Sequence, residues 1–153
     1  YKKQEKTKMK IKITTPVASN VKTVWEKFDI TLLKKLAPPF PFMKVLRYDG
    51  NKKGDVVSFE LNFVLFKQIW TSHITESNEN GKHAYFIDEG MELPFFLKKW
   101  HHKHLIEDDR GKTKIVDLIY YKTPFGWLDY VIYPLMYIQF AYRIPIYKRF
   151  FKK

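Results

Sequence analysis

Residues 126–153 read GWLDYVIYPLMYIQFAYRIPIYKRFFKK, and this stretch decides the fold. Between Asp129 and Arg143 every residue except Gln139 is apolar, aromatic or proline. The pattern predicts a long helix that is apolar around most of its circumference and must be covered on most of it. The upstream chain is patterned as short strands, so the simplest cover is a sheet wrapped around this helix. Such a sheet encloses a cavity, where we expect the function to lie.

The apolar run is too short for a membrane span. It extends from Tyr130 to Tyr142, whereas a span needs about 20 consecutive apolar residues. Pro134 and Pro145 each remove a backbone donor and predict two bends in the same direction, which suits a curved sheet. A solvated helix end is the simpler interpretation of the basic tail at 148–153, and contact with an anionic membrane is the alternative.

The composition predicts a single domain over residues 1–153, with residues 1–8 flexible. The chain has no cysteine, which excludes disulfide and thiolate chemistry. The net charge of +12 suggests polyanion affinity, but the lysines are scattered and we expect no nucleic-acid partner. The aromatic share of 18% predicts a core or pocket with large flat surfaces. No apolar signal segment follows the basic start, so we expect a cytoplasmic location, with a membrane-peripheral one as the alternative.

The upstream pattern predicts an α+β chain of one strand, two short helices and about six further antiparallel strands. The first strand covers Met9 to Ile13 and is expected to end at Pro16. The two helices are expected to be capped at Ser19 or Asn20 and at Asp29 or Thr31. The later strands are predicted at 44–48, 56–66, 67–76, 83–93, 100–106 and 113–121. In the strand at 56–66 every odd position is apolar, which assigns those positions to the inner face.

The strongest candidate for chemistry is a group of two histidines and one carboxylate. Trp100, His102 and His104 alternate on one face of a strand and are expected to point inward. The following strand carries Asp117, whose face the pattern does not decide. If Asp117 points inward, it would pair with a histidine, fix its tautomer and raise its pKa, as a general acid or base requires. A pair that simply holds two strands together is the structural alternative.

Other chemistries have weaker support. Two histidines at i and i+2 supply two metal ligands, but the spacing specifies no third, so we expect no metal site. Asp88 shares a strand face with Phe86 and Gly90, and the sequence leaves open whether it reaches the cavity. No phosphate-binding loop, nucleophile elbow or zinc-protease helix is present, so we expect no cofactor.

Two stretches resemble a known superfamily. PFFLKKWHHKH at 94–104 is similar to the P-F-x-x-W-x-H-x-H motif of a bacterial ligand-binding branch of the START-like polyketide cyclase/dehydrase superfamily (SRPBCC). DLIYYKTPFG at 117–126 resembles that branch's D-x-V-x-Y-x-x-P-F-G. The chain departs from the pattern at Leu93, where the branch often has glycine, and at Ile144 and Pro145, where a polar residue is expected.

The resemblance implies a helix-grip fold: a curved antiparallel sheet of about seven strands wrapped around a long C-terminal helix, with two short helices after the first strand. It also implies a cavity between sheet and helix for an apolar or aromatic small molecule. The residues we expect to form this site combine apolar walls with polar groups: Phe59, Trp70, Trp100, His102, His104, Asp117, Tyr121, Leu135 and Ile138.

Three functions follow as hypotheses. The first is binding of a hydrophobic or aromatic small molecule or lipid. The second is a cyclase- or dehydratase-type enzyme in which His102, His104 and Asp117 move protons. The third is a peripheral membrane lipid-transfer protein with a basic surface. Fold alone does not separate these functions, and the sequence decides neither catalysis nor oligomeric state.

Overall fold

The computed structural model describes residues 9–152, so the flexible segment expected at 1–8 lies outside the described residues. The elements are β1 (Met9–Val17), α1 (Val21–Glu26), α2 (Ile30–Leu36), β2 (Phe42–Tyr48), β3 (Val56–Asn62), β4 (Lys67–Glu79), β5 (His83–Glu92), β6 (Lys99–Asp109), β7 (Lys112–Lys122), α3 (Gly126–Ala141) and α4 (Arg143–Phe150). No helix in this range is long and apolar enough to cross a membrane.

The described strands form one antiparallel sheet in the order β1-β7-β6-β5-β4-β3-β2. Register shifts between Val45 and Arg47, and at two places in the β4–β5 pairing, insert extra residues that bend and twist the strands. The sheet curves around the C-terminal helices, and the expected helix-grip α+β fold is confirmed.

The first strand is longer than the sequence suggests. Pro16 was expected to end it, but β1 continues to Val17 and Pro16 still faces Lys114 of β7. β1 lies at the edge of the sheet and pairs with β7 alone, so the missing N–H of proline does not interrupt a second ladder.

The two short helices start where capping side chains are available. Asn20 accepts a hydrogen bond from the backbone N–H of Thr23, and Asp29 accepts one from Leu32. Each cap satisfies a donor that the first helical turn leaves unpaired. The caps fix α1 and α2 against one end of the sheet, where they share a core with Tyr147 of α4.

The C-terminal helical region divides at Tyr142 into α3 and α4. Pro145 cannot donate a hydrogen bond to the carbonyl of Ala141, which explains why the helix is interrupted at Tyr142. Met136 and Phe140 of α3 pack into a second core with Trp70 and Trp100. The two cores leave a space between α3 and the middle strands.

The expectation that the sheet covers most of the helix circumference is wrong. The outer face of α3 is exposed, and Trp127, Tyr130 and Ile138 each keep more than 60% of their accessible surface. The sheet curves around one side of α3 only, so the apolar run contains both a packed face and a bare one.

The predicted strand at 56–66 is also shorter than expected. β3 ends at Asn62, and 63–66 form a tight turn in which the N–H of Phe63 donates to the carbonyl of Phe66 at 2.9 Å. The inward alternation holds through Phe63, but Leu65 is 92% exposed at the tip of the turn.

A buried carboxylate ties the start of α3 to the end of β7. Asp129 accepts hydrogen bonds from both the backbone N–H and the hydroxyl of Thr123, each at 2.7 Å. The hydroxyl of Tyr121 donates to the carbonyl of Asp129 at 2.9 Å. Asp129 also lies in the first turn of α3, where a negative charge complements the helix dipole.

We expect Asp129→Ala to lower the free energy of unfolding by about 1–3 kcal/mol, because it leaves the buried backbone N–H of Thr123 unpaired, while the Thr123 hydroxyl keeps the Phe125 carbonyl as its acceptor. Urea denaturation measures the loss. Asp109→Ala is the control, since Asp109 pairs with Lys114 on the surface at 3.8 Å and its removal should change stability by less than about 0.5 kcal/mol. Equal losses of unfolding free energy in the two variants would contradict a stabilising link between Asp129 and the end of β7, called here the Asp129 tether.

Candidate functional site

A cavity of about 530 Å³ lies between α3, α2 and the inner face of strands β2 to β6. Aliphatic and aromatic side chains form most of its wall, and polar groups lie at a few places. On the sheet side the wall is a continuous aromatic surface. Phe59 stacks on Trp70, and Trp100 lies edge-on to Trp70 with ring centroids 4.7 Å apart.

Six of the nine residues expected to form the site line this cavity: Phe59, Trp70, Trp100, His102, His104 and Leu135. The other three do not. Tyr121 is fully buried beside Asp129, and its hydroxyl is used by the tether. Ile138 is on the exposed face of α3, which the sheet does not reach. Asp117 is fully buried behind the histidines rather than at the wall.

Strand register brings a polar cluster together at one end of the cavity. His102 lies opposite Asp88 of β5, and His104 lies opposite Asp117 of β7. Nε2 of His104 is 2.6 Å from Oδ2 of Asp88, and Nε2 of His102 is 2.8 Å from Oδ1 of Asp117. The two carboxylates therefore flank the two imidazoles, one on the cavity side and one on the buried side.

Aromatic rings hold the two imidazoles in place. The rings of His102 and His104 stack with centroids 3.6 Å apart, and Phe86 stacks on the other face of His104 at 4.1 Å. The indole N–H of Trp100 donates to Oδ1 of Asp88 at 3.0 Å. Arg143 completes the cluster, with one guanidinium nitrogen 3.9 Å from Asp117.

The cluster contains two ionised carboxylates. Burial opposes ionisation of Asp88, but the hydrogen bond from His104, the nearby imidazoles and the Trp100 N–H lower its pKa to about 2. Burial also opposes ionisation of Asp117, and the hydrogen bond from His102 together with the Arg143 charge lowers its pKa. Both residues are therefore acceptors at neutral pH.

The expectation that a carboxylate partner would raise the histidine pKa is wrong for His102. The pKa of His102 is lowered to about 4, mainly by burial and secondly by electrostatic repulsion from His104. The carboxylates of Asp117 and Asp88 act in the opposite direction. A neutral His102 has one N–H, and its 2.8 Å contact with the ionised Asp117 assigns that proton to Nε2.

Sequence reasoning did not assign Asp88 and Arg143 to the site. The signal for Asp88 was present, because its strand face also carries Phe86, but only the β5–β6 register shows that it meets His102. Arg143 follows the apolar helix run, and the turn at Tyr142 directs it into the cavity. The site can thus offer an anionic oxygen, an imidazole and a guanidinium to the polar end of a ligand.

The fold is shared with proteins of known structure. The chain is similar to the Zhui aromatase/cyclase from Streptomyces sp. R1128, with 13% identity, a TM-score of 0.68 and coverage of 91% of this chain and 90% of that chain. It is similar to ginseng major latex-like protein 151 from Panax ginseng, with 15% identity, a TM-score of 0.56 and coverage of 88% and 95%. Ara h 8.0201 gives 12% identity, a TM-score of 0.57 and coverage of 92% and 97%.

No protein-family model matches the chain, and no curated protein matches it in sequence. The structural likenesses establish the fold.

We expect the imidazole of His102 to titrate with a midpoint of about 4 rather than at its ordinary value of 6.5. Between these pH values the unfolded chain binds a proton that the folded chain does not. Stability that is fully present above pH 6.5 is therefore lost as the pH falls towards 4. Nitrogen-15 NMR of the histidine rings, assigned with His102→Gln, measures the midpoint, and a value at or above 6.5 would contradict the buried neutral state.

Proposed function

We propose that the protein binds a hydrophobic or aromatic small molecule, or a lipid, in the cavity between the sheet and α3. The observation that carries this proposal is a space of about 530 Å³ whose wall is mainly apolar and includes one cluster of charged and imidazole groups, Asp88, His102, His104 and Arg143. Ligand sites in proteins have this size and this composition, with a few placed polar groups that fix orientation. The resemblance of residues 94–104 and 117–126 to the motifs of a ligand-binding branch supports the same interpretation.

The arrangement of the wall indicates the shape of the ligand. Phe59, Trp70 and Trp100 provide flat surfaces along the sheet side, suited to rings or an acyl chain. Asp88, His104 and Arg143 belong to one cluster of the cavity wall, linked through Asp117, and this cluster can bind a polar head group. We therefore expect an apolar body with one polar end.

Ligand carriage is better supported than proton-transfer catalysis. The His102–Asp117 pair, which an acid–base mechanism would use, is almost fully buried, with 3% and 0% exposure. Nε2 of His102 is engaged with Oδ1 of Asp117, and Asp117 does not line the cavity. The aromatase/cyclase named among the structural neighbours shares the fold, which by itself does not transfer an activity.

We expect Leu61→Trp to weaken binding of N-phenyl-1-naphthylamine, a neutral fluorescent probe, at least tenfold because the indole occupies cavity volume. Leu46→Trp is the matched control, since Leu46 lies on β2 outside the cavity wall and is 49% exposed. Fluorescence titration gives both affinities. Equal affinities for the two variants, or no probe binding by the wild type, would contradict the proposed site.

A second candidate function is delivery of this ligand to or from a membrane surface. The turn at 63–66 consists of Phe63, Val64, Leu65 and Phe66, and its last three residues are exposed. Val64 has a φ of 75°, an unfavourable conformation for a β-branched residue and one that marks a constrained turn. Exposed apolar patches mark interaction surfaces, and a turn of this composition suits insertion between lipids.

The apolar turn is continuous with the cavity wall. Phe63 lines the cavity and stacks on Phe66 at 4.9 Å, and Phe66 contacts the exposed Phe95 at 5.7 Å. Lys67, which pairs with Glu60 at 3.7 Å, follows the turn directly, and Lys98 follows the loop of Phe95, Phe96 and Leu97, so cations flank the apolar surface. This charge complements anionic head groups, as does the net charge of +12.

We expect Leu65→Glu to reduce co-sedimentation with vesicles of phosphatidylglycerol and phosphatidylcholine several-fold, because the tip can no longer enter the interface. Leu46→Glu adds the same charge away from the turn and should bind vesicles like the wild type. Binding should also fall at high salt. The membrane role is contradicted if the wild type stays in solution with vesicles at low salt, or if both variants bind equally.

A further inference from the structure

The polar end of the cavity has the donor set of a metal site. One ligand atom from each of Asp88, His102 and His104 lies within 4.8 Å of the other two. Two imidazoles and one carboxylate on an open three-ligand face are typical of catalytic zinc and non-haem iron centres. We propose that these three residues bind a divalent transition-metal ion of the zinc class.

The separations between donor atoms suit a shared ion. Oδ2 of Asp88 lies 3.6 Å from Nδ1 of His102 and 2.6 Å from Nε2 of His104. An ion with bonds of about 2.0–2.2 Å needs its ligand atoms a little more than 3 Å apart. The first separation already fits, and the second needs to lengthen by less than about 1 Å when the ion binds.

The orientation of His102 is that of a metal ligand. Its Nε2 is committed to Asp117, so its Nδ1 presents a lone pair towards the Asp88 carboxylate. Two acceptors then face each other at 3.6 Å without a proton between them. A cation between them converts this contact into two bonds. The carboxylate–imidazole–metal series that results is the usual way in which proteins orient a ligating histidine.

His104 can adopt the same arrangement. Its Nδ1 and the Oδ2 of Asp117 are both buried and have no hydrogen-bond partner among the described residues. Nδ1 already lies 3.7 Å from Oδ1 of Asp117. If the ring proton of His104 resides on Nδ1, it points towards Asp117 and the lone pair on Nε2 points towards the ion. Asp117 then orients both histidines, and Asp88 is the third ligand.

The surroundings indicate what would complete the coordination. The three ligands line the cavity, so the free positions of the ion face its interior. Asp88 and Asp117 carry two negative charges and Arg143 one positive charge. A divalent ion with one anionic oxygen makes the centre neutral. We therefore expect the ion to take the carboxylate or enolate oxygen of an apolar molecule whose body lies in the cavity.

The test uses Zn²⁺ alone with the full chain, stripped of metal by a chelator. Calorimetric titration should give one saturable site, and nitrogen-15 NMR should show large shifts for Nδ1 of His102 and Nε2 of His104. Asp88→Asn and His104→Gln should each weaken binding at least tenfold. His101→Gln is the matched control and should bind like the wild type, because His101 pairs with Glu89 at 2.8 Å on the outer face of the sheet.

The wild-type NMR result decides the question even if a variant fails to fold. No saturable binding, or shifts confined to His73, His83 and His101, would overturn the proposal and leave a cluster held by hydrogen bonds alone. Binding that survives both Asp88→Asn and His104→Gln would overturn it as well. Because the probe is a bare ion, failure here is distinguishable from failure of the cavity to bind an apolar molecule.

Discussion

Burying two carboxylates beside an apolar cavity is the constraint on which the rest of the structure depends. Each ionised group taken out of water is costly, and removing one partner of a buried pair typically costs about 3–5 kcal/mol. Asp88 and Asp117 are tolerated because His102 and His104 lie between them and Arg143 approaches from the helix side. The charges are held by rigid strands, so the polar end of the cavity is preformed and a ligand need not order it.

The apolar part of the molecule is built to leave space beside this cluster. Two separate cores, one around Tyr147 and one around Trp100 and Phe140, fasten α4 and α3 to opposite parts of the sheet. The side chains between them do not close the gap, so the cavity persists. α3 is secured at its start by Asp129, and its outer face is exposed to solvent.

The sequence predicted the architecture well and the site only in part. Period-2 alternation and capping residues located the strands and short helices, because these signals are local. The inward orientation of His102 and His104 followed from the same alternation. The pairing of His102 with Asp88 could not be predicted, since register depends on bulges and turns between distant strands. The lowered pKa of His102 likewise depends on burial and on the stacked ring of His104. The exposed face of α3 depends on how far the sheet curves around the helix.

Binding of an apolar small molecule in the cavity is open to direct measurement. Native mass spectrometry of the purified protein, repeated after denaturing extraction, tests it most directly. We expect the protein to carry one small apolar molecule, or to take one up from an added series of fatty acids and aromatic acids, and to release it on denaturation. A protein that is empty when purified and stays empty throughout that series would contradict the claim.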